Sequence, residues 1–475
     1  MAGKTSSHRL TFAVLSAAAA SFAMLQSLVG PVLPTIQHDL ATTQSAVTWV
    51  LTAWLVSASV ATPLLGRIGD MLGKDRTLLV ALGAIALGSL VAALAPTIEV
   101  LIAGRVIQGL GGAVFPLSFG IIRDEFPPER VSGAVGGLSA VLAVGGGLGT
   151  LIAGPIVQLL NWRWLFWIPM VVVAATAVLA HRYIPRSPVR TEGRVAWPAA
   201  ALLSGWLVAL LIPLSNGAAW GWTSLPVITL LVLAVLAFAG WIAVETRSSA
   251  PLVDMRMMRL PAVWTTNLVA LLFGAGMFSV VAFVPIFVQI PSATGYGFGS
   301  SVTEAGLMTL PMLVTMAVAG GLSGPISPVI GAKAQLVWGS VLCLVACLLL
   351  AAYHDRPWQI ALAEGIIGIG IGLAYAAMTG LIVRSVPAHQ TGVAGGMNAN
   401  IRTIGGSIGT AVVGTVIASG ARPDGLPQES GFTYAFLLLA ACAAVTVALT
   451  LLVPAARRAP AHQAAPGEAL TGATR

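Results

Sequence analysis

The chain has 475 residues, of which 57% are hydrophobic and only 8% are charged, and its mean hydropathy is +0.92. A soluble globular protein of this size cannot bury so much apolar surface, so the composition excludes one and indicates an integral membrane protein. The net charge of +8 would suggest nucleic-acid binding in a soluble protein. Cations concentrated in membrane loops need no such partner, and we expect none.

The sequence contains fourteen apolar segments, each long enough to cross a bilayer, which takes about 20 residues. The predicted spans are 10–34, 46–68, 77–95, 98–121, 133–158, 163–183, 196–214, 224–245, 262–290, 303–325, 334–352, 358–384, 395–419 and 432–454. Most of the 24 lysines and arginines fall in loops on one side of the predicted membrane. The positive-inside rule therefore predicts a multi-pass cell-membrane protein with both termini cytoplasmic.

The first span is predicted to be irregular. Gly30, Pro31 and Pro34 interrupt it, and a bilayer tolerates such breaks where other helices or a cavity satisfy the freed backbone groups. We therefore expect this span, which also carries Gln26, to line a cavity.

A short charged stretch, LGRIGDMLGKDR, separates the second and third spans at residues 65–76. It holds three cations and two carboxylates between two apolar runs, and its glycines permit sharp backbone turns. The stretch predicts a tight loop at a membrane face.

The fourth span contains an arginine, Arg105, in the run LIAGRVIQGLGGAVFP. A charge inside an apolar span costs several kcal/mol unless it is paired or hydrated, so Arg105 is a functional candidate. The alternative is a side chain that extends to the outer headgroups.

The fifth span is rich in small residues, among them Gly145, Gly149 and Gly154, which is followed by Pro155. Such residues let neighbouring helices approach closely. We expect this helix to serve as a rocking surface, the alternative being tight packing without motion. After the sixth span, the basic stretch 181–194 is expected to contact anionic lipid headgroups.

An internal repeat organises the chain. At a shift of about 259 positions, residues 132–137 align with residues 391–396. The charged loop also has a second copy, in which Pro328 stands in place of Asp70. The repeat predicts an all-α membrane fold of fourteen transmembrane helices, with two pseudo-symmetric six-helix halves and two inserted helices. The predicted units are 1–190, 191–258 and 259–456, followed by a disordered cytoplasmic tail, 457–475.

The repeat places Glu364 of the twelfth span opposite Arg105. Burial disfavours an ionised carboxylate and a nearby arginine favours it, so a balanced group could load and release protons. A static ion pair, or a Glu364 that faces external water, is the alternative. Arg402 in the thirteenth span could be a gate, a cation that extends to the membrane surface, or a counter-charge for a substrate. Glu304 is expected to be a solvated helix cap.

The charged loop resembles the pattern G-x-x-x-D-x-x-G-K-x-R of the major facilitator superfamily, with Gly66, Asp70, Gly73, Lys74 and Arg76 at the pattern's positions. In that family the loop latches the two halves together. The resemblance implies that the aspartate meets a helix N-terminus of the other half, where a carboxylate is favoured.

The number of spans, the run L-x-x-x-R-x-x-Q-G-x-G at residues 101–111, the Asn-Trp-Arg-Trp corner at 161–164, and Asn398 with Arg402 resemble the fourteen-helix drug:proton antiporter branch. Two departures stand out. Gln26 occupies the position of the branch's usual aspartate in helix one, and the helix-five motif carries Thr150 in place of its proline. If protons are used, Glu364 must then carry more of the coupling.

The resemblance implies an exporter of hydrophobic or amphipathic compounds, such as drugs, dyes or secondary metabolites, driven by protons through alternating access. We expect a monomer without cofactor or metal, and no enzyme, since no phosphate loop, metal cluster or nucleophile–base set is recognisable. A lipid transporter of the same fold and a non-transporting sensor or scaffold are the alternatives. The predicted substrate cavity is lined by Gln26, Trp54, Arg105, Gln108, Asn267, Phe273, Gln289, Glu364, Tyr375, Met378, Asn398 and Arg402.

Overall fold

The computed structural model describes residues 8–187, 196–248, 251, 253–387, 390–418 and 427–454. Residues 188–194 of the predicted lipid-binding stretch, and the predicted tail 457–475, lie outside the described residues.

Every regular element in the described part of the chain is a helix. In chain order the α-helices are α1 His8–Ser27, α2 Leu33–Asp39, α3 Gln44–Leu72, α4 Lys74–Ala93, α5 Ile98–Gly109, α6 Val114–Glu125, α7 Pro128–Leu159, α8 Trp164–Tyr183, α9 Trp197–Trp220, α10 Leu225–Arg247, α11 Met255–Met258, α12 Pro261–Gln289, α13 Val302–Ala352, α14 Pro357–Ser385, α15 Thr391–Ala418 and α16 Glu429–Leu452.

Within the described ranges, thirteen helical stretches are long and apolar enough to cross a membrane, and one of them, α13, has 51 residues. Gly331 interrupts α13 with φ 81° and ψ 154°, so this element comprises two spans. The fourteen predicted helices are thereby confirmed. The predicted break in the first span is also present: α1 ends at Ser27, and a 3-10 turn over Gly30–Val32 leads into α2.

Equivalent glycines pack equivalent helices in the two halves. Gly145 and Gly149 of α7 lie against the backbone of α1, where an added Cβ would come within 2.8 Å and 2.7 Å of carbonyl oxygens. Gly405 and Gly409 of α15 lie in the same way against the backbone of α12. The internal repeat is thus visible in the packing, although the division of the chain at residues 190, 258 and 456 stays a prediction.

The two halves meet along a different face of α7. A Cβ at Gly147 would collide with the side chain of Leu313 on α13, and one at Gly136 would lie 3.1 Å from the carbonyl oxygen of Gly320. Gly145 and Gly149, predicted to form a rocking surface, instead hold α7 to its own half. A Cβ added at Gly154 would contact no other atom, so Gly154 is not a helix-packing site. Pro155, the fourth residue predicted for packing, lies within α7.

The inserted helices α9 and α10 pack on each other, with Trp206 stacked on Trp241 at a centroid distance of 5.8 Å. Helix α9 also contacts α3 of the first half and α15 of the second. The insert therefore covers the line along which α3 and α15 meet.

Candidate functional site

The charged loop is a one-residue connection. Helix α3 continues to Leu72, α4 begins at Lys74, and only Gly73 lies between them, with φ 110° and ψ 131°. A residue with a Cβ rarely adopts this conformation, which explains the glycine. The stretch predicted as a loop is therefore helical on both sides of one sharp turn. We call the end of the bundle at this turn the latch end.

Lys74 is fully buried at the latch end between two carboxylates. Its Nζ lies 2.6 Å from Asp124 Oδ2 of α6 and 3.6 Å from Asp70 Oδ1. The lysine stem runs past Gly120, where an added Cβ would lie 2.7 Å from its Cδ. Asp124 was not predicted as a site residue, because its triplet Arg-Asp-Glu at the end of the fourth span reads as ordinary loop charge.

Two contacts at the latch end join the halves. The Asp70 carboxylate interacts with the backbone N–H of Val393 in the first turn of α15, although neither of its oxygens forms a hydrogen bond with a described residue. Arg123 of α6 donates through Nη2 to the carbonyl oxygen of Val386, 2.7 Å away, at the end of α14. We call Asp70, Lys74, Arg123 and Asp124 the latch cluster.

The remaining motif residues have other surroundings. Gly66 is buried in α3, whereas Arg76 is exposed on α4. Ser187, in the segment after α8, accepts from the backbone N–H of Lys74 through its Oγ at 2.8 Å. The Ser187 N–H in turn donates to Asp75 Oδ1 at 3.1 Å. This segment therefore caps the start of α4.

Arg105 is completely buried within the first half. Its Nε donates to the carbonyl oxygen of Val50 at 3.1 Å and its Nη1 to Gln108 Oε1 at 2.8 Å. Its guanidinium carbon lies 5.3 Å from the ring centroid of Trp54. Gln108 passes the network on to Ser89 Oγ of α4 at 2.7 Å. Arg105 thus ties α5 to α3, and its side chain reaches neither a membrane surface nor the second half.

Glu364 is 1% exposed on α14, and neither of its carboxylate oxygens has a hydrogen-bond partner among the described residues. No ion pair joins it to Arg105 or to another described cation, so the structure does not bring together the pair that the repeat placed opposite each other. An ionised carboxylate without a partner is expensive in such a site. The position suits a carboxyl group that binds a proton.

A pocket of about 340 Å³ lies between the halves, on the latch side of the bundle. Its walls come from α6, α14 and α15, and its lining residues are Phe115, Pro116, Phe119, Tyr375, Thr379, Ile382, Val383, Gly395, Asn398, Ala399 and Arg402. We call it the inter-half pocket.

The polar side chains of this pocket are held in place. Arg402 donates through Nη2 to the hydroxyl of Tyr375 at 2.7 Å, and its guanidinium carbon lies 4.1 Å from the Tyr375 ring centroid. Asn398 donates to Asn267 Oδ1 of α12 at 2.8 Å. Three predicted cavity residues therefore line the pocket: Tyr375, Asn398 and Arg402. Asn267, which was also predicted, does not line the pocket but accepts the hydrogen bond from Asn398.

The other predicted cavity residues do not line the inter-half pocket. Most are packed inside one half, and Gln289 donates to a carbonyl oxygen of its own helix. They are Gln26, Trp54, Arg105, Gln108, Phe273, Gln289, Glu364 and Met378. Phe115 and Phe119 were missed, because an aromatic residue in an apolar span gives no sign of the face it occupies.

A second cavity, of about 420 Å³, lies inside the second half between α12, α13, α14 and α16. Its lining is almost entirely apolar and includes Phe273 and all three cysteines, Cys343, Cys347 and Cys442, which are unpaired. Unlike those of the inter-half pocket, all the described residues that line it belong to the second half.

The model of the Major Facilitator Superfamily matches residues 15–410 and, in a second match, residues 277–473. The chain belongs to this superfamily. Its resemblance in sequence to the drug-exporting branch is confirmed by relatives from bacteria. The chain is 30% identical to the tetracenomycin C resistance and export protein of Streptomyces glaucescens, over 81% of this chain and 71% of that protein. It is 31% identical to the methylenomycin A resistance protein of Streptomyces coelicolor, over 81% of this chain and 80% of that protein.

Solved structures of the superfamily share the fold. The human organic anion transporter MFSD10 superposes with a TM-score of 0.70 at 17% identity, covering 93% of this chain and 99% of that one. The proton:xylose symporter XylE superposes with a TM-score of 0.68 at 11% identity, covering 94% and 96%. These likenesses confirm the predicted fold class of a major facilitator protein.

Proposed function

We propose that the chain is a secondary active transporter that exports hydrophobic or amphipathic compounds from the cell in exchange for protons. The relatives named for resistance and export support the direction and the substrate class. The observation that carries the proton coupling is Glu364 on α14, a buried carboxyl group with no partner in the part of the chain that the structure describes. Helix α14 also supplies Tyr375 to the inter-half pocket.

Among the described residues, Glu364 is the only buried carboxylate with neither an ion pair nor a hydrogen bond. Asp70 has Lys74 as its partner, and Glu245 accepts from Trp241 Nε1 at 3.1 Å. In the first span, Gln26 stands where the drug:proton antiporter branch usually has an aspartate. A transported proton therefore needs a binding site elsewhere in the chain. We assign proton binding to Glu364. Arg105 supports the coupling by holding together the helices of the first half, against which α14 moves.

The latch cluster and the inter-half pocket support alternating access. The predicted topology makes the latch end cytoplasmic, so the Asp70 and Arg123 contacts close the cytoplasmic side beneath the pocket. Opening the pocket to the cytoplasm requires both contacts to break. Rocking of the second half along the Gly136 and Gly147 face of α7 would accomplish this.

The test uses purified protein in liposomes under an imposed pH gradient, with internal pH read by a trapped dye. The probes are the neutral compound N-phenyl-1-naphthylamine, the anion 8-anilino-1-naphthalenesulfonate and the cation ethidium. The variant is Glu364→Gln, and the matched control is Glu304→Gln. Glu304 forms a capping box with Ser301 at the exposed start of α13, and glutamine preserves that box.

Wild type and Glu304→Gln should both move protons when a transported compound is added. Glu364→Gln should lose at least tenfold of this compound-dependent flux while it still binds the compound. Full proton coupling in Glu364→Gln would contradict the assignment of Glu364. If the wild type transports none of the three probes, export of such compounds is contradicted, and a lipid substrate or a sensor role is favoured.

A further inference from the structure

The inter-half pocket reaches the middle of the membrane. Phe115 lies about 15 Å from the end of α6, Tyr375 about 15 Å from the end of α14, and Arg402 about 16 Å from the start of α15, at a helical rise of about 1.5 Å per residue. All three helix ends lie at the latch end. Because the apolar core of a bilayer is about 30 Å thick, the three side chains meet near its midplane.

No described carboxylate neutralises the charge of Arg402. Its side chain is 8% exposed, and its hydrogen-bond partner, Tyr375, is a neutral phenol. No described carboxylate forms an ion pair with it, and no carboxylate is among the residues that line the pocket. A guanidinium has five N–H donors, so several remain for a ligand. At the shift of 260 positions that pairs Gly145 with Gly405, Arg402 corresponds to Leu142, so the first half has no cation at this position.

The rest of the pocket is aromatic and apolar. Phe115 and Phe119 on α6 face Tyr375 across the space between the halves. Rings of this kind bind planar aromatic molecules through their faces and edges.

We propose that the inter-half pocket selects aromatic anions, whose carboxylate, sulfonate or enolate oxygens accept hydrogen bonds from Arg402 while their rings pack on Phe115 and Phe119. The anion supplies the negative charge that the lining of the pocket lacks. The planar guanidinium of Arg402 can donate two parallel N–H groups to the oxygens of such an anion. A lipophilic cation of the same shape would meet an unneutralised like charge. This inference rests on the proposed function and narrows its substrate class.

The experiment compares two probes that differ by one sulfonate. N-phenyl-1-naphthylamine and 8-anilino-1-naphthalenesulfonate share the same aromatic core, and only the second carries an anionic group. Binding of each is measured by titration calorimetry in detergent, with empty micelles subtracted, and transport is measured in the liposomes described above. The variants are Arg402→Gln and Arg402→Lys, and the control is Arg384→Gln, at an exposed cation in the last turn of α14 outside the pocket.

We expect the wild type to bind the sulfonate at least tenfold more tightly than the neutral probe. Arg402→Gln should weaken sulfonate binding at least tenfold and change binding of the neutral probe less than threefold. Arg402→Lys should keep part of the preference, and Arg384→Gln should keep all of it. The charge preference of the variants is the readout, because a merely structural role would weaken both probes alike.

Equal losses for the two probes in Arg402→Gln would overturn the proposal, as would a wild type that prefers the neutral compound. Proton-coupled transport of the neutral probe alone would overturn the anion preference and leave the proposed export intact. Failure to transport any probe would instead remove the proposed function together with this inference.

Discussion

The buried lysine of the latch cluster gives the sharpest prediction for stability. At an effective dielectric constant of about 20, charges 2.6 Å and 3.6 Å apart attract each other by about 6 and about 5 kcal/mol. Desolvation offsets much of this attraction, but removal of one partner leaves the others buried and unneutralised. Loss of one member of a buried ion pair costs about 3–5 kcal/mol. We expect this cost for Lys74→Met, which keeps the volume of the side chain and removes its charge.

The assay is thermal unfolding of the purified variants in detergent, followed by tryptophan fluorescence. At about 2.1 cal/mol/K per residue, a chain of 475 residues shifts by about 1 °C per kcal/mol, so Lys74→Met should lower the Tm by about 3–5 °C. The control is Lys333→Met, in the second copy of the loop, where Nζ donates to the carbonyl oxygen of Leu451 at 2.7 Å in an exposed setting. That change should cost about 1 kcal/mol or less.

A second variant separates lost attraction from poor packing. In Lys74→Met/Asp124→Asn one of the two unneutralised carboxylates is also removed, so part of the lost Tm should return. If Lys74→Met melts within about 2 °C of the wild type, the carboxylates are not held in an environment of low dielectric constant, and the reasoning from their burial is refuted.

Three further changes test other parts of the structure by the same thermal measurement. Gly405→Ala would place a Cβ against the carbonyl oxygen of Leu271 and should lower the Tm strongly. Gly154→Ala should change the Tm little, because no atom lies near the added Cβ. Equal effects of the two changes would contradict the observed packing. Gly331→Ala should cost about 1–2 kcal/mol, because φ 81° is strained for any residue with a Cβ, and an unchanged Tm would argue against that turn. Arg105→Lys should lose about 1.5–3 kcal/mol for each hydrogen bond that an ammonium cannot replace, so a stable variant would show that the fork geometry is unimportant.

The helices could be predicted closely because a span needs about 20 apolar residues and the chain supplies fourteen such runs with few charges. The twelfth span was predicted at 358–384 and is observed at Pro357–Ser385. The charged stretch misled in one respect. Its polarity predicted a loop, but buried ion pairs allow both helices to continue up to Gly73.

The site could be predicted only where a residue type was unusual for its surroundings. Arg402 could be singled out because a charge in a span is expensive, and Asn398 because it is part of the family resemblance. The same argument singled out Arg105 but not its role, because a carbonyl acceptor such as that of Val50 is present at every residue and leaves no trace in the sequence. Arg123 was read as a loop charge for a related reason: its acceptor belongs to a helix of the other half.

The latch is one-sided although the fold is duplicated, and the packing explains why. In the second copy of the loop, Pro328 stands where the first has Asp70, so no carboxylate is available there. The partner would be missing as well. Val393 is the third residue of α15, where the backbone N–H has no acceptor within the helix, whereas its repeat equivalent, Ala134, lies in the second turn of α7, where the N–H bonds four residues back. An aspartate at residue 328 would therefore face a helix whose N–H groups are already bonded, which agrees with the absence of a second carboxylate contact of this kind among the described residues.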